Sequence, residues 1–174
     1  MKISISNPPI QGIKGTPTIL QNRQYQVFSE PTYIYPMVPA SAATLLRADG
    51  FDVVWDDAIA EEIPYSEWVK RIEQMSPDLM MMETKTPVVK RHWRIIEGVK
   101  AVSPQTRVVL TGDHVTALPR ESMESSKVDF VLTGGDYDFL LMNLARWLSG
   151  KEKDLEPGIW FREGGRSGAR VPFG

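Results

Sequence analysis

Arg107-Val-Val-Leu-Thr-Gly-Asp-His114 is the stretch whose reading decides the fold. Arg107 to Leu110 is a short apolar, β-branched run, as a buried strand requires. Thr111 and Gly112 end it, and a glycine there lets another group approach the backbone closely. About twenty residues on, the pattern returns as Val128-Asp-Phe-Val-Leu-Thr-Gly-Gly135. Two neighbouring strands would then finish in Thr-Gly. In open α/β sheets ligands sit just outside such strand ends, so the paired glycine turns mark the floor or wall of a ligand site.

Working outward, the remaining elements alternate. Lys2 to Ser6 reads as a first strand, stopped by Asn7-Pro8-Pro9 because proline cannot continue a central ladder. Residues 10 to 38 lack periodicity, and Tyr25, Phe28, Tyr33, Ile34 and Tyr35 make them too apolar for a linker. They read as a loop that folds over a ligand. Pro39 to Ala48 forms a helix with proline in its first turn and Gly50 as its stop. Asp52 to Asp56 is a second strand. Tyr65 to Met75 is a helix with Trp68, Val69, Ile72 and Met75 on one face and Ser66 as N-cap.

Asp78 to Glu83 is a third strand, and three consecutive methionines imply burial on both faces. A helix over Val88 to Val102 places Val89, Trp93, Ile96, Val99 and Val102 inward. Lys90, Arg91, Arg94 and Lys100 then form a solvated face, with His92 exposed among them. Leu118 to Ser125 is a short helix, Val128 to Leu132 the fifth strand, and Tyr137 to Leu148 a helix apolar nearly all round. The alternation predicts a doubly wound, mostly parallel five-stranded sheet, Rossmann-like or flavodoxin-like, in the order 2-1-3-4-5. After Gly150 the character changes, and Ile159 to Arg166 reads as a small hairpin with a Gly-Gly turn. The organisation expected is an α/β domain over 1–150 and a linker or hairpin tail over 151–174.

Composition narrows the chemistry. The 174 residues are 42% hydrophobic and 24% charged, ordinary for a globular domain. A net charge of −2 gives no basic excess for a nucleic-acid surface. No apolar run reaches the roughly 18 residues of a membrane span, and the N-terminus leads into a strand rather than a signal peptide, so a cytoplasmic chain is expected. There is no cysteine, which excludes disulfides, thiol chemistry and cysteine ligation of an iron–sulfur cluster within this chain. With only His92 and His114, no protein metal site is assigned.

Motifs narrow it further. No G-x-G-x-x-G follows strand 1 and no G-K-[ST] exists. The positions after strands 1, 3 and 5 offer Asn7, Glu83 with Thr84, and Gly134, which excludes a phospho-receiver. What remains is a rim of small and hydroxyl residues: Thr84, Thr86, Thr111, Gly112, Thr133, Gly134 and Gly135. Such a rim admits a bulky organic ligand and offers it a few hydrogen bonds. No catalytic pair is assigned. Asp113 with His114 reads either as an acid–base couple or as a turn-capping aspartate beside a positioned histidine.

These stretches, taken in order, resemble the N-terminal cobalamin-binding domain of B12-dependent radical S-adenosylmethionine enzymes. The resemblance is carried by Asn7-Pro-Pro9, by Tyr35-Pro36…Pro39 opening a helix that ends before Gly50-Phe-Asp-Val-Val54, and by Ser76-Pro-Asp78. Thr111-Gly-Asp-His-Val-Thr-Ala-Leu-Pro119, Val128-Asp-Phe-Val-Leu-Thr-Gly134 and Pro157-Gly-Ile-Trp-Phe-Arg162 complete it. It implies a corrin over the carboxyl rim of the sheet with its nucleotide tail inserted beside the strands. Thr84 and Thr86 would line the tail. Gly112, Asp113 and His114, with Thr133, Gly134 and Gly135, would flank its phosphate-bearing side. Asn7, Pro8 and Pro9 would face the lower side of the ring. No histidine follows strand 1, so the resemblance implies base-off cobalamin without a histidine from that loop.

The chain departs from the family pattern at Gly112-Asp113, where Gly-Gly is usual, and at Gly134-Gly-Asp-Tyr137, where Gly-Glu-Gly-Glu is frequent. It lacks the C-x-x-x-C-x-x-C motif. The iron–sulfur cluster and S-adenosylmethionine are therefore expected in a separate radical barrel, in cis or in trans, of a methyltransferase or cyclase. The chain would be a domain of a longer enzyme or a stand-alone remnant, with no catalysis of its own. The alternatives are an interaction domain of the same fold that no longer binds cobalamin, and a flavin-binding domain. An exposed apolar rim would also let the isolated domain form a homodimer.

Overall fold

The computed structural model describes residues 1–19, 25–163 and 166–169. Its main sheet uses β1 (Lys2–Asn7), β4 (Asp52–Asp57), β5 (Leu79–Glu83), β6 (Arg107–Thr111) and β7 (Phe130–Leu132), all parallel, in the order β4-β1-β5-β6-β7. Counting only those five strands, the order is the expected 2-1-3-4-5. Two further strands extend the sheet past β7: β8 (Ile159–Glu163) pairs antiparallel with β7, and β9 (Arg166–Ala169) pairs antiparallel with β8. The tail hairpin thus becomes part of the sheet, while its Gly164-Gly165 turn lies outside the described residues.

Helices α1 (Met37–Ala48) and α6 (Tyr137–Leu148) pack on one face of the sheet. Helices α2 (Tyr65–Met75), α3 (Val89–Val102) and α5 (Pro119–Ser125) cover the other, and the short α4 (Asp113–Ala117) follows β6 directly. The methionine run shows how the strand period fills both layers. Met81 points into the α1/α6 core while Met80 and Met82 point into the α2/α3/α5 core, and all three are buried. β8 is fastened by Arg162, whose guanidinium donates to the carbonyls of Val128 (2.9 Å), Ser126 (2.6 Å) and Met123. This supplies acceptors at the end of α5 with the donors they lack.

Three local expectations are corrected. α2 has Pro64 at its N-cap position, and no side-chain cap is formed, so Ser66 lies inside the helix rather than at its start. The 10–38 segment contains a two-stranded ribbon, β2 (Thr16–Thr18) with β3 (Gln26–Phe28), which hides Ile19 at its edge. His92 is not an exposed helix residue. It is fully buried, and the inner face of α3 is Val89, His92, Ile95, Ile96 and Val99, with Trp93 and Val102 only partly covered. Its Nδ1 lies 2.7 Å from Thr84 Oγ1, which gives the imidazole a polar partner inside an apolar layer.

Candidate functional site

A parallel sheet collects its strand ends, and here β1, β4, β5, β6 and β7 all finish at one rim. At β1, Asn7 is buried and its Nδ2 donates to Asp57 Oδ1 at the end of β4 (2.8 Å). Pro8 is buried and Pro9 half-buried beside it. Burial raises the Asp57 carboxyl above its ordinary pKa, with the Ala60 amide and the Asn7 amide pulling it back. One residue earlier, Asp56 is 1% exposed and accepts from Trp68 Nε1 (2.7 Å), Ser6 Oγ (3.0 Å) and Arg71 (3.1 Å). A buried carboxylate is tolerated when its oxygens are so occupied.

At β5 and β6 the rim is polar and dense. Glu83 is buried, accepts from the Tyr137 hydroxyl (2.8 Å) and lies 3.0 Å from Lys85 Nζ. Lys85, itself buried, reaches Asp113 Oδ2 at 3.1 Å. Burial pushes the Glu83 carboxyl up, and the Lys85 charge and the Tyr137 hydrogen bond oppose that shift. Burial and the Glu83 charge push the Tyr137 phenol up, so it stays a donor.

Of the residues expected from sequence, Thr84 and Thr111 are fully buried, Thr84 against His92 and Thr111 against Met81 Sδ. Thr86 is exposed and its hydroxyl lies 3.2 Å from His114 Nδ1. His114 is 5% exposed, with Nε2 3.3 Å from Glu121 Oε2 and its ring edge-on to Trp93. Asp113 and His114 therefore turn to different partners.

The glycines divide. Gly112 has φ +105° and ψ −178°, and a Cβ there would lie 2.4 Å from the Thr84 carbonyl oxygen. Its bareness serves the close passage of β6 past the β5 end. Gly134 and Gly135 are exposed, and a Cβ on either meets nothing within 4 Å. Gly134 donates its N–H to Thr116 Oγ1 (3.0 Å), and Thr133 is anchored to the Gly158 carbonyl (3.0 Å). The structure thus leaves open space at Gly134 and Gly135, not at Gly112.

Exposed apolar side chains flank several of these strand ends. Tyr33, Ile34, Tyr35, Met37 and Val38 approach or begin α1, Phe139 sits in the first turn of α6, and Leu118 lies between α4 and α5. Tyr35 is 70% exposed, Met37 71% and Phe139 54%. The first turns of α1 and α6 each follow a strand's carboxyl end in a crossover, so Met37, Val38 and Phe139 lie at the rim. Sequence reasoning missed Glu83, Lys85 and Tyr137 as a group. The separation of 54 positions between Glu83 and Tyr137 left no local signal.

Open glycines, an apolar border and buried hydrogen-bonding groups suit a large, flat ligand with polar edges. Comparison with solved structures defines the class of fold. The radical S-adenosylmethionine methyltransferase TsrM from Kitasatospora setae superposes with a TM-score of 0.72 at 18% identity, covering 98% of this chain and 30% of that one. The cobalamin-dependent S-adenosylmethionine radical enzyme OxsB matches at 0.65 and 12% identity, over 99% of this chain and 22% of that one. A family model, the B12 binding domain, matches residues 31–139, and the chain belongs to that family.

Among curated proteins, an uncharacterized methyltransferase of Pyrococcus horikoshii is 25% identical over 132 residues, 75% of this chain and 28% of the relative. The anaerobic magnesium-protoporphyrin IX monomethyl ester cyclase of Rubrivivax gelatinosus is 27% identical over 111 residues, 63% of this chain and 20% of the relative. The chain spans less than a third of the length of either relative. Among the described residues no helix is long and apolar enough to cross a membrane, and no cluster of histidine and carboxylate side chains could hold a metal ion.

Proposed function

We propose that this chain is a corrinoid-holding module that seats cobalamin on the carboxyl rim and offers its upper face to a radical S-adenosylmethionine domain. The observation that carries this reading is the exposure of Met37 and Phe139 at the starts of α1 and α6, which the Ser41–Asp138 hydrogen bond (2.8 Å) holds together, beside a strand end that leaves open space at Gly134 and Gly135. The apolar side chains would border the ring, and Asn7, Pro8 and Pro9 would floor it. Thr133, Gly134 and Gly135 would leave passage for the nucleotide tail towards exposed Thr86, with Thr84, Thr111 and Gly112 packed behind that passage. Asp113 and His114 would flank that passage. A bound corrinoid supplies cobalt-centred alkyl-group chemistry, and this chain's part is to bind, orient and shield it.

The cobalamin would be held base-off without a protein histidine on cobalt. His92 is spent on Thr84 inside the core, and His114 is turned to Thr86 and Glu121. With no cysteine to ligate one, the iron–sulfur cluster belongs to the partner domain, as does S-adenosylmethionine. The test is to titrate the full chain with hydroxocobalamin, remove free ligand and record the visible spectrum. Retained corrinoid with a base-off spectrum is expected. No retention at high ligand would refute the reading, and retention of flavin instead would replace it.

A further inference from the structure

We infer that the Lys85 ammonium is the receptor for a phosphodiester on the bound ligand, and that the Asp113 carboxylate occupies this receptor in the free protein. The inference rests on the corrinoid reading and deepens it by naming the group that selects for the nucleotide tail. Lys85 is the second residue after β5 and Asp113 the second after β6, so their contact spans the ends of these two adjacent strands at the rim. The ammonium is 5% exposed as a residue and has three N–H donors. One points to buried Glu83 at 3.0 Å and one to Asp113 at 3.1 Å, with no further acceptor among the described residues.

The two carboxylates differ in kind. Glu83 is locked, since its side chain is 7% exposed and Tyr137 holds its other oxygen. Asp113 is free to leave, since its side chain is 54% exposed and can be hydrated where it stands. Displacing Asp113 by a phosphodiester exchanges one single negative charge for another, so the buried Lys85–Glu83 pair sees the same field before and after. A neutral ligand gains nothing from the exchange, and a dianion would add an uncompensated charge beside Glu83. This also gives a role to the aspartate that stands where the family usually has a second glycine.

The experiment compares hydroxocobalamin, which carries the tail phosphodiester, with hydroxocobinamide, which lacks the nucleotide. Each is titrated calorimetrically into the full chain and three variants: Asp113→Asn, Asp113→Ala and the double variant Lys85→Met/Glu83→Gln, which avoids leaving a lone buried charge. The expected wild-type preference for cobalamin is about tenfold or more, the size of a charge-assisted hydrogen bond. The double variant loses that preference with cobinamide binding unchanged. Asp113→Asn and Asp113→Ala tighten cobalamin about threefold, as for release of an exposed ion pair, and leave cobinamide unchanged. Dimethyl phosphate, a monoanionic phosphodiester, at high concentration weakens cobalamin but not cobinamide.

An unchanged cobalamin-to-cobinamide ratio in all variants overturns the inference and leaves the corrinoid reading standing, with Lys85–Asp113 a structural ion pair only. Binding of neither corrinoid overturns both.

Discussion

Gly112, Gly134 and Gly135 should respond to alanine in three different ways. Gly112 combines φ +105° with ψ −178°, a region essentially restricted to glycine, and occupying it with a side chain costs about 1–3 kcal/mol. The new Cβ would also lie 2.4 Å from the Thr84 carbonyl oxygen and 3.0 Å from Glu83 Cγ. Backbone and a hydrogen-bonded carboxylate must move, and such overpacking costs a further ~1–3 kcal/mol. Gly112→Ala should therefore lose about 2–6 kcal/mol, a large part of a domain's ~5–15 kcal/mol. Gly134 has φ +104° but open space, so Gly134→Ala should lose only the backbone part, about 1–3 kcal/mol. Gly135 has neither a positive φ nor a neighbour, so Gly135→Ala should fall within about 0.5 kcal/mol of wild type. Urea unfolding at constant m-value measures all three. A Gly112→Ala variant within 1 kcal/mol of wild type, or less perturbed than Gly134→Ala, would refute the assignment of Gly112 to packing and Gly134 to open surface.

Other outcomes follow from the buried polar groups. Burial lowers the His92 pKa from 6.5 to about 4, so between those values the unfolded chain binds a proton that the folded chain refuses. Stability should fall as pH drops through that window, by about 3 kcal/mol at completion, and a His92→Gln series in urea should lack this component. Glu83, whose pKa is raised, contributes with the opposite sign: its stabilisation is full at low pH and is lost as pH rises. It is present in both series and cancels in their difference. Tyr137→Phe removes the 2.8 Å hydrogen bond to Glu83 and should cost about 1–3 kcal/mol by thermal unfolding. Asp56→Ala strands Trp68 Nε1, leaves Ser6 with Ser4 alone and leaves Arg71 one partner fewer, and should cost about 3–5 kcal/mol in the same assay.

The sheet was legible because its signals are local. Apolar runs such as Leu79-Met-Met-Met82 between turn residues read as β whatever their exact bounds, and crossover handedness then leaves few orders. Short elements were not legible. β2 contains Pro17 within three residues, and α4 begins on Gly112-Asp113, so neither presents a full period. His92 was misplaced because periodicity counts apolar residues, whereas this imidazole is accommodated by one hydroxyl eight positions away. The rim residues Thr84, Thr111, Gly112, Thr133, Gly134 and Gly135 were found from the strand-end rule. Their division into buried packers and open positions depends on backbone angles and neighbours that no single sequence prints. Lys85 was invisible as a site residue for the same reason: its meaning comes from Glu83 below it and Asp113 across from it.

The proposed corrinoid seat requires the open space at Gly134 and Gly135 to be where the ligand passes. It is tested most directly by comparing hydroxocobalamin retention by the full chain and by Gly135→Trp, with unfolding curves for both. Wild type is expected to retain corrinoid, and Gly135→Trp, equally stable, is expected to lose it. Equal retention by both would contradict it and place the ligand elsewhere on the molecule.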